Sequence, residues 1–269
     1  MTTNKFDRDT MVRSAGDGRY EGRIDPGWWI ERGPNGGYVA AIMLRALTEH
    51  VADPARTPRS FTQHYMAPPV EGPVEVEARI ERSGRRVTFT SGRMLQDGRL
   101  LATSQAAFAL PMRGVEFCDI VPPDVPRPES LVPLPAMPDP PPFRDRYHTL
   151  WAIGAPPLSR SPEAVTGGWI RLAEPRPLDH LLIAALTDAW MPPVFSRLDE
   201  RVGVPTVDLT IHFRASLPLP DARDDDWVLA SFRTDAAADG FLEEDGSLWS
   251  RSGVLLAQSR QLAAVLPLG

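Results

Sequence analysis

The sequence predicts an α+β fold made of two similar modules, and three observations lead to this prediction. A faint repeat runs through the 269-residue chain, each copy has the pattern of one helix followed by three or four strands, and no helical pattern separates successive strands. A parallel sheet would need a crossover helix between its strands, so these strands should pair antiparallel. We therefore expect each module to place one helix on an antiparallel sheet.

The repeat consists of three pairs of segments that occur in the same order. The pairs are NGGYVAAIMLRAL with DHLLIAALTDAW, SFTQHYMAPP with DLTIHFRASLP, and DGRLLATSQAAFAL with SGVLLAQSRQLAAV, starting at 35 and 179, 60 and 208, and 97 and 252. Each pair alone could arise by chance. Their common order and nearly constant separation indicate a duplication.

Caps and stop signals predict one helix in each module. Asn35 and Asp179 are suitable N-caps for the alanine- and leucine-rich runs that follow them. Pro192 and Pro193 would end the second helix.

Alternating, β-branched or aromatic runs predict the strands. In the first module these runs are 59–67, 74–81, 86–96 and 100–110, and in the second they are 204–215, 227–234, 238–244 and 255–265. Asp97-Gly98 and Asp245-Gly246 have the composition of hairpin turns. Trp28-Trp29 and residues 168–173 predict short strands that lead into the two modules.

Proline usage suggests how the modules are joined. The chain has 29 prolines, roughly twice the average usage, and eleven of them lie in 111–142. Such a segment favours an extended, stiff connection over a flexible one. We predict an N-terminal module over 1–110, a proline-rich strap over 111–145 and a C-terminal module over 146–269.

Charge and cysteine content exclude several classes of function. The formal net charge is −6 and basic residues are interspersed with acidic ones, which argues against nucleic-acid binding. Cys118 is the only cysteine, which excludes an internal disulfide and a cysteine-based zinc site, and we predict no metal. The sequence has no secretory leader pattern and no apolar run of membrane-spanning length. The expectation is a soluble, cytoplasmic protein.

Asp188 is the most informative candidate residue. It lies in LLIAALTDAWMPP, late in the second predicted helix, on the same stripe as Leu181, Ala184 and Ala185. A carboxylate on an apolar stripe is costly unless it is hydrogen-bonded. The alternative is a residue at the helix edge that reaches solvent. The first module has Leu44 at the matching position, so the acid belongs to one copy only.

Asn35, Gly36 and Gly37 form the second candidate group. Two glycines at a helix start expose backbone N–H groups and allow a ligand to approach closely. Together with the helix dipole, these N–H groups can stabilise an anion or polarise a carbonyl. An ordinary loop leading into a helix would give the same pattern.

Two strands of the second module carry further polar candidates. Thr206 shares the polar face of 206–213 with Asp208, and this face could equally be exposed to solvent. Gln258 and Gln261 lie on the last predicted strand, where a side-chain amide could orient water or a carboxylate. The sequence lacks the G-x-S-x-G motif of a serine hydrolase and a phosphate-binding loop.

Taken in their order along the chain, these features resemble the thioesterase II (TesB-like) family of acyl-CoA thioesterases. The resemblance covers about residues 20–265 apart from the strap, and its pieces are GGYVAAIML, GWIRL, LTDAW, PTVDLTIHF and GVLLAQSRQ. It implies a double hotdog fold, in which each half wraps an antiparallel sheet around a long helix. It also implies hydrolysis of a fatty or related acyl-CoA, with coenzyme A as part of the substrate and no separate cofactor.

The resemblance assigns roles to residues that the sequence alone leaves unconnected. The family's catalytic Asp, Thr or Ser, and Gln match Asp188, Thr206 and Gln261. Asp188, held ionised by the other two, would act as general base on a water, and direct attack through a mixed anhydride remains open. Backbone N–H at Gly37, beside Asn35 and Gly36, would bind the developing oxyanion.

Three other functions remain open at this stage. A hotdog enoyl-thioester hydratase or dehydratase would use an Asp/His pair, for which Asp179-His180 is available. A non-catalytic acyl-CoA or lipid-binding protein could keep the same fold. The chain could also be a structural homo-oligomer whose polar strand faces are simply exposed to solvent. Separately, exposed sheet edges often support further assembly of such a fold.

Overall fold

The helices and strands of the chain follow the predicted order. A computed structural model describes residues 4–31, 33–133 and 139–267. The helices are α1 (Lys5–Asp9), α2 (Gly36–Val51) and α3 (His180–Leu186). The strands are β1 (Arg13–Gly16), β2 (Arg19–Ile24), β3 (Thr57–Tyr65), β4 (Gly72–Ser83), β5 (Val87–Gln96), β6 (Arg99–Ala109), β7 (Tyr147–Ile153), β8 (Ala164–Leu172), β9 (Val202–Gly203), β10 (Thr206–Phe213), β11 (Val228–Thr234), β12 (Ala237–Ala238), β13 (Phe241–Ser250), β14 (Leu255–Ala264) and β15 (Leu266–Pro267).

Thirteen of these strands form one antiparallel sheet that curves around the two larger helices. Its order is β1-β2-β4-β5-β6-β3-β10-β14-β13-β11-β8-β7, and β12 pairs with β13. The short strands β9 and β15 pair separately. Helices α2 and α3 pack against each other inside the sheet. This arrangement confirms the predicted α+β double hotdog.

The strand order supports the duplication. From the centre outward, β3-β6-β5-β4-β2-β1 in the first half corresponds to β10-β14-β13-β11-β8-β7 in the second. The two halves meet where β3 pairs with β10, and Thr62 lies opposite Thr210 with their hydroxyl oxygens 3.1 Å apart. These threonines are equivalent positions of the sequence repeat, so a pseudo-twofold axis passes between them.

Both predicted helix caps are confirmed. The Asn35 Oδ1 accepts the N–H of Tyr38 at 3.0 Å, and the Asp179 Oδ1 accepts the N–H of Leu182 at 2.8 Å. Helix α2 is buried along most of its length because its Ala, Leu, Ile and Met side chains face the concave side of the sheet. Each cap therefore fixes the residue at which its helix begins.

The second helix is shorter than the resemblance implied. Helix α3 ends at Leu186, well before Pro192, so the proline stop signal does not end it and Asp188 lies beyond the helix. The Thr187 hydroxyl donates to the carbonyl of Ala184 at 2.8 Å, and the Asp188 N–H reaches only three residues back to Ala185. This tightened last turn directs the chain away from the helix axis.

Two local predictions are wrong. Trp28 ends a 3₁₀ turn, Pro26–Trp28, and only Trp29 makes an isolated bridge, to Pro34. Asp245-Gly246 lies inside β13, where Gly246 faces Phe232 too closely for a side chain. The hairpin turn instead uses the preceding Asp-Gly pair, Asp239-Gly240, with φ angles of 53° and 79°. Residues 168–173 fall largely in β8, as predicted, and Asp97-Gly98 forms its expected turn.

The strap runs over the outer face of the second half of the sheet. The Trp169 Nε1 donates to the carbonyl of Pro126 at 2.9 Å, and Arg127 donates to the carbonyl of Arg251 at 3.0 Å. Val125 and Leu131 pack against a small apolar cluster on that face. Residues 134–138 of the strap lie outside the described residues. The module boundaries at 110 and 145 stay a prediction, since the two halves share one sheet and one core.

Candidate active site

Asp188 lies at the interface between the two halves of the protein. The tightened end of α3 turns its carboxylate toward the N-terminus of α2, which comes from the other half. The Asp188 Oδ2 accepts the N–H of Gly37 and the side-chain Nδ2 of Asn35, each at 2.9 Å. The partly exposed carboxylate therefore has these two hydrogen-bond donors in the first copy of the repeat.

Asn35 connects the helix cap to the carboxylate. Because its Oδ1 accepts the N–H of Tyr38, its Nδ2 must point away from α2 and toward Asp188. The same Nδ2 donates to the backbone carbonyl of Asp188 at 2.6 Å. Asn35 is completely buried, so one side chain both starts α2 and positions the carboxylate.

Gly36 and Gly37 allow this close approach. A Cβ on Gly36 would lie 2.9 Å from the Asp188 Oδ2, and a Cβ on Gly37 would lie 2.4 Å from the carbonyl oxygen of Ala185. The Tyr65 hydroxyl donates to the carbonyl of Gly36 at 2.9 Å, which fixes the first turn from the side of β3. The two glycines thus permit contact between α2 and the end of α3.

Thr206 and Gln261 form a connected pair on adjacent strands. The Thr206 hydroxyl donates to the Gln261 Oε1 at 3.0 Å, and the Gln261 Nε2 donates to the Glu244 Oε1 at 2.8 Å. Gln261 also lies close enough to Asp188 to lower the pKa of that carboxyl group. The structure therefore brings the three residues named by the resemblance together, with Thr206 connected to Asp188 through Gln261. Gln258 lies elsewhere on β14 and accepts from Arg214 at 2.9 Å.

The electrostatic environment leaves Asp188 more basic than an ordinary aspartate. Burial raises the pKa of Asp188 to about 6, from an ordinary value of 3.8. Hydrogen bonds from Gly37, Gly36, Gln261 and Asn35 oppose this rise by stabilising the ionised form. Near neutral pH the carboxylate is thus ionised yet able to accept a proton, as a general base requires.

Glu244 is a second carboxyl group near Asp188, it is buried, and the sequence analysis missed it. Burial and then the charge of Asp188 raise the pKa of Glu244 to about 8, so it is largely protonated at neutral pH. Its Oε2 is buried without a hydrogen-bond partner among the described residues. A signal was present, because Glu244 falls on the same face of β13 as buried Leu242 and Leu248.

Glu244→Gln is expected to increase stability at alkaline pH. The folded protein holds this proton up to about pH 8, whereas the unfolded chain releases it near 4.5, so the wild type loses stability as pH rises between these values. The loss is about 1.4 kcal/mol for each pKa unit of difference. Urea unfolding at pH 4 and pH 9 should show a gain only at pH 9. An equal gain at both pH values would contradict this assignment.

Two tyrosines complete the surroundings of Asp188. Burial and the charge of Asp188 raise the pKa of both Tyr65 and Tyr147. The Tyr147 hydroxyl is buried and has no hydrogen-bond partner among the described residues. Both phenols therefore stay protonated near the carboxylate, and no sequence pattern indicated either of them.

A cavity of about 440 Å³ opens beside Asp188. Its walls are mainly apolar, and Asp188 forms part of its lining. The apolar side chains include Ile30, Phe143, Leu158, Trp190, Met191 and Phe195. The volume lies within the range of small-molecule sites. This arrangement suits an apolar ligand whose reactive group reaches the carboxylate.

The Asp179-His180 pair lies at the other end of α3 and has structural contacts. Both carboxylate oxygens of Asp179 accept from Arg176, at 2.8 and 2.7 Å, and Asp179 caps the helix. The buried His180 ring packs edge-on against Phe213. These contacts leave the pair without a role in the cavity beside Asp188.

Among the described residues, no cluster of His, Cys, Asp and Glu could hold a metal ion. No helix in the described part of the chain is long and apolar enough to cross a membrane.

Comparisons with known proteins agree with this geometry. Residues 25–109 match the family model for the acyl-CoA thioesterase N-terminal domain, and residues 128–265 match that for the C-terminal domain. A fold of two hotdog halves with these matches defines a thioester hydrolase. The chain belongs to the acyl-CoA thioesterase family, in its thioesterase II (TesB-like) group. A search of curated proteins gave no match.

Solved structures extend the similarity over the whole chain. A conserved protein of unknown function with a hot dog fold from Alicyclobacillus acidocaldarius is 30% identical, with 100% of each chain covered and a TM-score of 0.90. A putative thioesterase II from Thermobifida fusca YX is 28% identical, with 99% of each chain covered and a TM-score of 0.86. The tesB protein of Mycobacterium avium subs paratuberculosis shares the fold at 18% identity, with 97% of this chain and 98% of that chain covered and a TM-score of 0.80.

Proposed function

We propose that this chain hydrolyses a fatty or related acyl-CoA to the free acid and coenzyme A, with Asp188 as general base. The observation that carries the proposal is the Asp188 carboxylate, which Asn35 and Gly37 hold at the edge of an apolar cavity. The acyl group would occupy the cavity. We place the enzyme in the cytoplasm and assign it no cofactor beyond the coenzyme A of its substrate.

In the proposed reaction, a water near Asp188 attacks the carbonyl carbon of the thioester while its proton passes to the carboxylate. The carbon–sulfur bond then breaks, and the departing thiolate can recover the proton from Asp188. Thiolate is a sufficiently good leaving group that no covalent intermediate is needed. Gln261 would orient the carboxylate or the water, and Thr206 would fix the Gln261 amide through the bond to its Oε1.

The N-terminus of α2 would assist by stabilising negative charge. The partial positive charge at the start of a 16-residue helix favours anions there. The single N–H proton of Gly37 already goes to Asp188, so binding an oxyanion requires sharing this donor or moving the carboxylate as substrate enters. We propose that Asn35, Gly36 and Gly37 mainly stabilise the Asp188 carboxylate and, in addition, stabilise the developing oxyanion.

A hydrolysis panel tests the proposed function. Purified protein is assayed with short, medium, long and aromatic acyl-CoAs, and free thiol is measured. We expect turnover of at least one class, and about a 10³-fold loss for Asp188→Ala, because general-base catalysis contributes on this order. Hydration of an enoyl-CoA is measured in parallel. Absence of turnover across the panel, or full activity of Asp188→Ala, would reject the proposal.

A further inference from the structure

Two arginines line the cavity beside Asp188: Arg201 is exposed, and Arg144 is partly buried. Arg144 lies on the 3₁₀ turn Pro142–Arg146, between the buried Phe143 and the exposed Asp145. Phe143 packs against Tyr147 and fixes this turn, with ring centroids 5.3 Å apart. The partly buried Arg144 side chain therefore lines the same cavity as Asp188, on a fixed element.

The guanidinium of Arg144 has no ionic partner in the described part of the chain. Burial lowers its pKa, and no carboxylate lies close enough to oppose that change. Glu31 and Asp139 also line the cavity, yet neither forms an ion pair with Arg144.

Arg176 is a comparable buried arginine that does have carboxylate partners. The buried Arg176 guanidinium binds Asp7 and Asp179 through two pairs of hydrogen bonds of 2.7–3.0 Å. These bonds raise its pKa despite burial. A partly buried arginine is costly without such partners. Arg144 is partly buried without such carboxylate partners, and it lines the cavity in which the proposed function places the substrate.

We propose that Arg144 binds an anionic oxygen group carried by the thioester substrate. The proposal rests on the proposed function, which places that substrate in this cavity. A guanidinium offers a planar pair of N–H donors that matches a carboxylate or a phosphate. Binding such a group would supply the counter-charge that the protein lacks at this position. Arg144 thereby selects among thioesters, while Asp188 performs the proton transfer.

Two parts of an acyl-CoA can carry this chemistry. One is a carboxylate at the far end of the acyl group, and the other is a phosphate of coenzyme A. Four substrates separate them: hexanoyl and adipoyl groups, each carried on coenzyme A and on N-acetylcysteamine. Adipoyl adds a terminal carboxylate to the same chain length, and N-acetylcysteamine lacks the phosphates.

The test compares kcat/KM of the wild type and Arg144→Met on these four thioesters. If Arg144 binds the acyl carboxylate, the variant loses at least about tenfold on adipoyl substrates with either carrier. If it binds a phosphate, the same loss appears on both coenzyme A thioesters and on neither N-acetylcysteamine thioester. A uniform change over all four substrates, or no change, would overturn the proposal. Arg13→Met, at an exposed position of β1, is the control.

A binding measurement keeps this test separate from the proposed function. Thermal shifts of the wild type with adipate, hexanoate and free coenzyme A need no turnover. We expect adipate or coenzyme A to stabilise the wild type, with the shift lost in Arg144→Met and partly kept in Arg144→Lys, which retains the charge. If no thioester is hydrolysed but this pattern holds, the hydrolytic function fails and the Arg144 site stands. If neither adipate nor coenzyme A gives a shift that depends on Arg144, the proposal is wrong.

Discussion

Asp188→Asn should lower kcat by about 10³-fold and at the same time stabilise the protein above pH 6. Asparagine cannot accept the proton of the attacking water, which accounts for the loss of rate. The pKa of Asp188 in the folded protein, about 6, exceeds the ordinary value of 3.8, so the folded state binds this proton more tightly than the unfolded chain does. Wild-type stability therefore falls as pH rises from about 4 to 6, and the variant escapes this loss.

The stability gain should reach about 3 kcal/mol at pH 8 and disappear below pH 4. Urea unfolding at both pH values measures it, alongside steady-state hydrolysis. Asp17→Asn, in the exposed β1–β2 turn, is the matched control and should change neither quantity. Wild-type activity in Asp188→Asn would contradict the assignment. So would a stability, relative to the wild type, that is lower at pH 8 than at pH 4.

Gly37→Ala should weaken the contact between the two halves and lower activity. The added Cβ would lie 2.4 Å from the carbonyl oxygen of Ala185 and 3.1 Å from its carbonyl carbon, and backbone atoms cannot move aside cheaply. We expect a loss of about 3 kcal/mol in the free energy of unfolding. Activity falls as well, because the N–H of Gly37 that holds Asp188 moves with the helix.

Two further glycines control this experiment. Gly114 is exposed and has no atom within 4 Å of an added Cβ, so Gly114→Ala should change stability by less than about 0.5 kcal/mol. Gly36→Ala places its Cβ 2.9 Å from the Asp188 Oδ2, which should reduce activity more than stability. If Gly37→Ala behaved like Gly114→Ala, the two helix ends would not meet as described.

The sequence was most informative where local chemistry decides the structure. Asn35 and Asp179 cap helices through their own side chains, and the Asp97-Gly98 turn depends on residues that tolerate positive φ. The sequence predicted the wrong end for α3. The helix ends at Leu186, where it contacts α2, and not at a proline. Such a contact has no signature within the helix itself.

The site required information from both halves at once. Asp188 was detectable as a carboxylate in an apolar run, and the family resemblance supplied Thr206 and Gln261. Asn35 was predicted as a cap, but its hydrogen bond to Asp188 depends on how α2 packs against α3 across the pseudo-twofold axis. The local periodicity of the sequence does not predict that packing.

The pH dependence of kcat/KM, in the wild type and in Asn35→Asp, tests the central claim most directly. That claim is that the first half holds the catalytic carboxylate of the second. Aspartate at 35 keeps an oxygen to cap Tyr38 but replaces the donor 2.9 Å from the Asp188 Oδ2 with a second carboxylate. The wild type should lose activity below about pH 6, and Asn35→Asp should lose it about one pH unit higher or more. A wild-type rate that stays constant down to pH 4, or the same acid limb in both proteins, would contradict the account.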